Sequence, residues 1–210
     1  MNQNTAIVRT GRKFEQVLEG ACKVFMADGF EGASVDKIAQ EAKVSKATLY
    51  SYFPDKRLLF MEVARVECAR MADDALEVID LNAPARQVLT MAAHALITHL
   101  LSDFAQSIFR VCVAERDRFP ELGQAFFAAG PEMGRMRMVA YLELAVARGE
   151  FAIPDLGMAA DQFTELCKAK LWTRAVLGIQ TKFSSAEIGE VVGHAVDMFM
   201  ARYATGDAAK

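Results

Sequence analysis

Apolar residues recur at intervals of three and four along almost the whole chain, and segments that alternate polar with apolar residues are nearly absent. This spacing places the apolar side chains on one face of an α-helix, which has about 3.6 residues per turn. Proline, which interrupts helices, occurs only five times in 210 residues. The sequence therefore predicts an all-α protein. We expect helices near residues 10–28, 34–42, 45–53, 55–80, 84–101, 103–117, 120–129, 131–149, 155–178 and 185–204.

The chain is 53% hydrophobic, which can supply the core of one large domain or of a small domain joined to a larger one. No apolar run approaches the roughly 18 residues that cross a bilayer. The first ten residues, MNQNTAIVRT, lack the basic and apolar stretches of a signal peptide. We therefore expect a cytoplasmic protein with no membrane partner.

Charge is divided unevenly along the chain. Residues 1–57 contain nine Lys and Arg against seven Asp and Glu, whereas residues 58–210 contain fifteen against twenty. The net charge of −3 therefore combines a mildly basic amino-terminal part with an acidic remainder. Because nucleic acid attracts basic surfaces, this pattern permits DNA binding by the first part only, without proving it.

The segment SVDKIAQEAKVSKATLYSYFPDK, residues 34–56, predicts two short helices joined by a tight turn. Ser34 suits the N-cap of the first helix and Ser45 that of the second, because a serine hydroxyl accepts a hydrogen bond from a free amide at a helix start. Leu49 and Phe53 are four residues apart and point inward, and a proline then ends the second helix. Two short helices around a tight turn are typical of a helix-turn-helix.

The opposite face of the second helix carries side chains that packing does not require. The first turn of a recognition helix enters the major groove, so Lys46 could reach a guanine edge or a phosphate, and Thr48 a thymine methyl or a phosphate oxygen. Tyr50 suits an apolar base contact and Tyr52 a phosphate hydrogen bond. Lys56, in the first turn of the next helix, could hold another phosphate. The alternative is a pair of packed helices whose exposed Tyr and Lys are merely solvated.

This segment resembles the TetR family signature, over roughly residues 12–60. The pattern is Ser or Thr, an apolar residue, Ile-Ala three residues later, then Val-Ser-Lys-x-Thr-Leu-Tyr-x-Tyr-Phe and a Lys. The resemblance implies that Ser34, Tyr52 and Lys56 contact phosphates and that the groove-facing residues are Lys46, Ala47, Thr48 and Tyr50. The candidate DNA-binding residues are therefore Ser34, Lys43, Ser45, Lys46, Ala47, Thr48, Tyr50, Tyr52 and Lys56.

Lys43 departs from the pattern, because many family members have Gly at this place in the turn. If the position is left-handed, Lys costs about 1 kcal/mol relative to Gly. The alternative interpretation is that its charge is retained for a phosphate contact.

The rest of the chain contains a second, weaker resemblance. Residues 110–151 are similar to the carboxyl-terminal domain of the AefR-like branch of the same family. The family implies a helix-turn-helix DNA-binding domain over residues 1–55, and a helical effector-binding and dimerisation domain over residues 56–210. It further implies a homodimeric transcriptional repressor that binds a palindromic double-stranded DNA operator and is released by a small-molecule effector.

Family analogy places the dimer interface on the last two long helices, near residues 158–178 and 186–203. Candidates that face the partner, each equally well explained as the core of one chain, are Phe163, Leu166, Leu171, Val192, Val196 and Phe199. A pocket between the middle helices would suit a small apolar or aromatic effector. Its candidate ligand-binding residues, most of which are as well explained as core, are Met91, His94, Leu101, Phe104, Phe109, Phe126, Phe127 and Trp172.

Other kinds of site find little support. The four cysteines lie far apart, which indicates buried thiols, with a redox role for Cys112 as the alternative. Glu190 and His194 could share a metal, but one pair is short of a site, and a hydrogen-bonded surface pair is the simpler interpretation. No phosphate loop, GxSxG elbow or HExxH motif occurs. We expect no cofactor, no metal and no enzyme activity; a ligand sensor, an activator or an all-helical enzyme are the alternatives.

Overall fold

The computed structural model describes residues 11–206, apart from the side chains of residues 71–78. In this part of the chain all regular elements are helices, and a single isolated bridge pairs Phe151 with Ala204, so the all-α prediction is confirmed. The helices are α1 (Arg12–Gly32), α2 (Val35–Glu41), α3 (Lys46–Tyr52), α4 (Lys56–Val78), α5 (Ala85–Leu100), α6 (Asp103–Ala114), α7 (Pro120–Phe127), a π-helical segment (Ala128–Glu132), α8 (Met133–Ala147), α9 (Leu156–Lys168), α10 (Trp172–Val176) and α11 (Ser185–Tyr203).

The described residues form two compact units. The first unit contains residues 11–68 and 107–127, and the second contains residues 69–106 and 128–206. This division differs from the boundary expected at residue 55. The start of α4 belongs to the first unit because the ring of Phe60 packs against those of two residues on α1, with centroids 4.8 and 5.0 Å apart.

Aromatic rings fill the core of the first unit. Phe53, which follows α3, is fully buried and stacks on Phe14 of α1 with ring centroids 5.5 Å apart. Phe25 and Phe30 lie on the carboxyl-terminal half of α1 and enclose the ring of Phe60. Burial of such rings contributes several kcal/mol in a core of this kind, so α1 is the element on which α3 and α4 are fixed.

Gly29 interrupts the regular part of α1. Its φ of 69° and ψ of 179° lie outside the helical region, in a conformation that is open to glycine and unfavourable for other residues. The change of direction turns the ring of Phe30 into the core, where it is 8% exposed.

Gly20 brings α1 and α2 into close contact. A Cβ atom at this position would lie 2.6 Å from the backbone nitrogen of Ala42 and 2.8 Å from its Cβ. Ala42 is itself buried and caps the carboxyl-terminal end of α2. The two backbones can approach this closely only because one residue has no side chain and the other has a methyl group.

The second unit has a core formed mainly by α5, α8, α9 and α11. Five of the residues expected to face a partner lie inside it: Phe163, Leu171, Val192, Val196 and Phe199 are each at most 1% exposed. Leu166 is half-buried against the same core. Of the two interpretations given for these side chains, the core of one chain therefore holds for the five buried ones.

The single helix expected over residues 155–178 is divided into α9 and α10. Ala169, with a φ of −50° and a ψ of 137°, leaves the helical conformation, and Lys170 has a φ of 67°. A left-handed lysine is unfavourable by about 1 kcal/mol. The turn is accompanied by complete burial of Leu171 and by an ion pair between Lys170 Nζ and Glu190 Oε1 at 3.2 Å, which together can offset that strain.

Among the described helices, none by itself is long and apolar enough to cross a bilayer. Helices α5 and α6 together have the length and the apolar composition of a membrane span, but the pair is bent by 62°.

Replacing Gly20 by Ala is expected to lower the free energy of unfolding by about 1–3 kcal/mol. The new methyl group forces α1 and α2 apart, and this effect outweighs the higher helix propensity of Ala, about 1 kcal/mol. Urea unfolding of the full-length protein measures the change. Gly123→Ala in α7 is the matched control, because its methyl group meets no described atom within 4 Å. A Gly20→Ala variant as stable as the wild type would contradict the tight crossing of α1 and α2.

Candidate nucleic-acid interface

The candidate reading head is the helix-turn-helix segment of residues 34–56, which contains α2 and α3. Serine caps define both of these helices, as predicted. Ser34 Oγ accepts a hydrogen bond from the backbone N–H of Lys37 at 3.1 Å, at the start of α2. Ser45 Oγ accepts from the backbone N–H of Thr48, also at 3.1 Å, at the start of α3. Each cap satisfies one of the amides that have no partner within the helix. The start of α3 is therefore set by local chemistry.

The turn between α2 and α3 contains the left-handed residue considered above. Lys43 has a φ of 54°, and its backbone N–H donates to the carbonyl of Gln40 at 3.1 Å. The next amide, that of Val44, donates to the carbonyl of Ala39 at 3.0 Å. These bonds close the end of α2 although Lys is less favourable than Gly in this conformation. The Lys43 side chain is exposed, and its phosphate contact stays a prediction.

The rotation of α3 is fixed by its inner face. Leu49 is 1% exposed and Phe53 is fully buried, which confirms that both point inward. Tyr52 is only half-buried, and its ring lies edge-on to that of Phe14 with centroids 5.7 Å apart. Part of Tyr52 therefore packs on α1, whereas the sequence suggested a side chain that faces only solvent or DNA.

The outer face of the reading head contains most of the predicted contact residues. Tyr50 has 48% of its surface exposed. The other exposed candidates are Ser34, Lys43, Ser45, Lys46 and Ala47, and the half-buried ones are Thr48, Tyr52 and Lys56. Helix α3 thus exposes one polar face while its opposite face is buried, an arrangement suited to a helix that enters a DNA groove.

Thr48 is held by its neighbours on α3. Its hydroxyl lies 2.9 Å from Ser45 Oγ, and its carbonyl accepts a hydrogen bond from Ser51 Oγ at 2.6 Å. The hydroxyl therefore already has a partner within the protein. A methyl group remains for apolar contact, in keeping with the thymine contact considered from the sequence.

Lys46 forms an ion pair with Asp36 of α2, and both side chains are more than half exposed. The hydrogen bond that the Lys46 ammonium donates to this carboxylate, together with the negative charge of Asp36, raises the pKa of Lys46. Sequence reasoning missed this partner of Lys46. The spacing of ten residues across a turn gives no periodic signal that could have revealed it.

Lys56 has partners inside the protein. Its ammonium donates to the carbonyl of Phe30 at 2.9 Å and to that of Ala33 at 3.0 Å, and it lies 4.3 Å from the centre of the Phe30 ring. These carbonyls belong to the end of α1, so Lys56 links α1 to the start of α4. The phosphate contact predicted for Lys56 would rest on the one ammonium proton left after these two bonds.

Arg57 connects the reading head to the segment at residues 107–127. Its guanidinium donates to Asp55 Oδ1 at 2.9 Å and to Glu115 Oε2 at 3.0 Å, and it lies 3.6 Å from the ring centre of Phe119. The hydrogen bond from the Arg57 guanidinium lowers the pKa of Asp55. A guanidinium that is paired and stacked in this way is held rigidly. Because Glu115 lies 58 residues from Arg57, the sequence gave no signal for this contact.

The eight predicted effector contacts are divided between the two units. Met91, His94, Leu101, Phe104 and Trp172 belong to the second unit, and Phe109, Phe126 and Phe127 to the first. Phe109 and Phe126 lie edge to face at 6.2 Å, whereas Phe127 is 57% exposed. The two cavities found in the first unit, of about 290 and 460 Å³, are lined by other residues. The effector site stays a prediction.

The cysteines and Glu190, a member of the candidate metal pair, are held by burial or by an ion pair within the chain. Cys112 and Cys167 are buried, and burial raises their pKa to about 11 and about 12, which disfavours the reactive thiolate. The other two cysteines are only half-buried, contrary to the expectation for all four.

The carboxylate of Glu190 is paired with Lys170. Within the described residues, no group of three or more His, Cys, Asp or Glu side chains is arranged to hold a metal.

Comparisons with known proteins agree with this geometry. Residues 17–63 match the family model for bacterial regulatory proteins of the TetR family, and residues 87–205 match that for the carboxyl-terminal domain of AefR-like transcriptional repressors. The HTH-type transcriptional repressor AcnR from Corynebacterium diphtheriae is 35% identical over 80 residues, which are 38% of this chain and 40% of AcnR. This match therefore spans less than half of the length of that repressor.

Two solved structures are similar over nearly their full length. A TetR-family transcriptional regulator from Mesorhizobium loti has a TM-score of 0.82 and 26% identity, over 92% of this chain and 98% of that one. The Flavonoid-responsive Regulator FrrA has a TM-score of 0.72 and 32% identity, over 93% of this chain and 98% of that one. The chain therefore belongs to the TetR family of bacterial transcriptional regulators and has an AefR-like carboxyl-terminal domain.

Proposed function

We propose that this protein is a cytoplasmic transcriptional repressor that binds a palindromic DNA operator as a homodimer and is released by a small aromatic effector. The observation that carries the proposal is α3, a helix capped at its start, with a buried inner face and an outer face of Lys46, Ala47 and Tyr50 open to solvent. The cytoplasm is the expected location, because a repressor must reach the chromosome.

Base contacts come from the outer face of α3. Lys46 donates to the O6 and N7 acceptors of a guanine, and the methyl group of Thr48 contacts a thymine methyl. Tyr50, which is the most exposed aromatic residue of α3, makes an apolar base contact. These contacts specify sequence, because each base pair presents a distinct pattern in the major groove.

Phosphate contacts surround this face and fix its register. Ser34, Lys43 and Ser45 are exposed at the two helix starts and the turn. Tyr52 contributes its hydroxyl while its ring stays on Phe14. Lys56 adds long-range attraction from its charge, although two carbonyls hold its ammonium.

A second copy of the chain is needed because one short recognition helix confers little specificity. Two heads about 34–36 Å apart can read two half-sites. Large apolar side chains remain exposed in the second unit after the expected interface residues are assigned to its core: Leu177 is 66% exposed, Ile179 71% and Met198 60%. Exposure of these residues near α10 and on α11 supports an interface there, since interfaces are enriched in such side chains.

The effector proposal rests on similarity and on connectivity. FrrA, which is 32% identical, is by its name responsive to flavonoids, and aromatic compounds suit the Phe and Trp residues predicted to line a pocket. Helix α6 begins in the second unit and ends in the first, where Glu115 follows it and pairs with Arg57. A shift of α6 on effector binding would change this pair and thus the start of α4, which directly follows the head.

Operator reading is tested by selecting duplexes from a random DNA pool at near-physiological salt. The wild type is expected to enrich a palindrome, and the Lys46→Ala, Tyr50→Ala double variant to lose it, because both groove contacts are removed. A Leu144→Ala, Lys182→Ala variant, altered at two exposed positions of the second unit, is the matched control and should enrich the wild-type sequence. Weak, salt-sensitive binding without sequence preference would refute operator recognition.

Replacing Leu177 and Ile179 together by Glu is expected to convert the dimer into a monomer. Operator affinity should then fall by about 100-fold or more, because a monomer contacts only one half-site. Four carboxylates would then lie in an apolar interface. Sedimentation velocity measures the assembly. The control replaces Met136 and Leu144 of α8, which are 56% and 51% exposed, by Glu and should remain dimeric. A dimeric Leu177→Glu, Ile179→Glu variant would show that the interface lies elsewhere.

Flavonoids are expected to weaken binding to the selected operator, measured by fluorescence anisotropy of a labelled duplex. Glu115→Gln should leave the selected sequence unchanged but reduce the loss of affinity at saturating flavonoid by about fivefold or more, a typical allosteric coupling. Glu150→Gln, which breaks a comparable half-buried pair with Arg148, is the control. If flavonoids have no effect, the effector class is wrong; if both variants respond like the wild type, Arg57 and Glu115 do not transmit the signal.

A further inference from the structure

The ion pair between Asp36 and Lys46 lies on the face of the reading head that is proposed to meet DNA. Asp36 is the second residue of α2, and Lys46 is the first residue of α3. The lysine side chain is 59% exposed and the aspartate 67% exposed. The pair therefore bridges the two helices on their exposed surface.

This pair has little value for the stability of the fold. Exposed ion pairs contribute little, because water and salt screen the charges and two side chains must be ordered. Lys46 is also unfavourably placed in the first turn of α3, where the helix dipole favours negative charge. A cation at this position is better explained by what it contacts outside the chain.

Asp36 is also unfavourable for general attraction to DNA. A carboxylate on this face repels phosphates and reduces the number of cations free to neutralise them. Asp36 thus weakens nonspecific binding to DNA, and the same carboxylate holds Lys46, which is expected to contact a base. Discrimination between partners commonly combines an attractive element with a repulsive one in this way.

The chemistry of the ammonium permits both contacts at once. Lysine has three donor protons, of which one is used by the carboxylate. Two remain for the O6 and N7 acceptors of a guanine. Because the four-carbon stem of lysine is flexible, a partner that holds its end in place lowers the entropy lost when a base is bound.

We propose that Asp36 is a positioning residue that holds Lys46 for contact with a base and thereby determines the preference at one base pair of each half-site. This inference rests on the proposed operator binding. It assigns Asp36 a part in specificity rather than in affinity, so that loss of its charge relaxes recognition while it strengthens binding to unrelated DNA.

Random-pool selection with the full-length protein tests the proposal in five forms: wild type, Asp36→Asn, Asp36→Glu, Lys46→Met and the Asp36→Asn, Lys46→Met double variant. Asp36→Asn is expected to lower the preference at one base pair of each half-site by about five- to tenfold. Binding to a scrambled duplex should become tighter. Lys46→Met should relax the same base pair, and the double variant should relax it no further. Asp36→Glu, which keeps the charge, should retain most of the preference.

Asp28→Asn is the matched control, because it removes a carboxylate from another exposed lysine of the same unit, Lys37, whose Nζ lies 2.6 Å from Asp28. It should leave every base preference unchanged. Thermal unfolding of each variant confirms that the fold is kept.

The outcomes separate the two proposals. A wild-type protein that enriches no sequence overturns operator binding and this inference with it. A wild-type palindrome that Asp36→Asn leaves intact overturns the inference alone. So does a preference that Asp36→Asn relaxes further in the Lys46→Met background, because Asp36 would then act without Lys46.

Discussion

The burial of Phe53 beneath α3 is the contact on which the candidate interface depends. Helix α3 has only seven residues and would not be stable alone, since short isolated helices are marginal in water. Stacking of Phe53 on Phe14, together with the buried Leu49, fixes the rotation of α3 about its axis. The exposure of Lys46 and Tyr50 follows from that rotation. The outer face is therefore a consequence of the aromatic core, and α1 serves DNA binding although it carries none of the predicted contacts.

The features that could be predicted from the sequence are those set by neighbours along the chain. Both serine caps and the inward residues of α3 depend on groups within a few positions, which local rules describe well. The pairing of Lys56 with the end of α1 spans 26 residues to Phe30, and that of Arg57 with Glu115 spans 58. Such partners are brought together by the fold, so the sequence suggested a phosphate contact for Lys56 and did not reveal the carbonyls that hold its ammonium. The break at Lys170 was missed because neither Gly nor Pro marks it.

The same distinction explains why the sequence left two interpretations for the candidate interface residues. A helical stripe of Phe, Leu and Val is what both a core and an interface require, so periodicity cannot separate them. The structure assigns Phe163 and Phe199, whose rings lie 5.2 Å apart, to the core of one chain. The apolar residues left on the surface, such as Ile179, lie in a loop or at less regular positions of the helices, where the periodic pattern had indicated nothing.

The close approach of Gly20 to Ala42 has a consequence for chimeric regulators. A chimeric regulator is made by exchanging the reading head between related proteins. The exchange alters DNA specificity and keeps the effector-binding domain, so the response to the effector is unchanged. In this chain α2 can take its position only against a helix that has no side chain at the point of crossing. A graft of α2 and α3 alone would meet a foreign α1, and any β-carbon there would tilt the recognition helix away from the groove. The portable unit is thus the whole segment from α1 to the start of α4, with the glycine and the alanine inherited together.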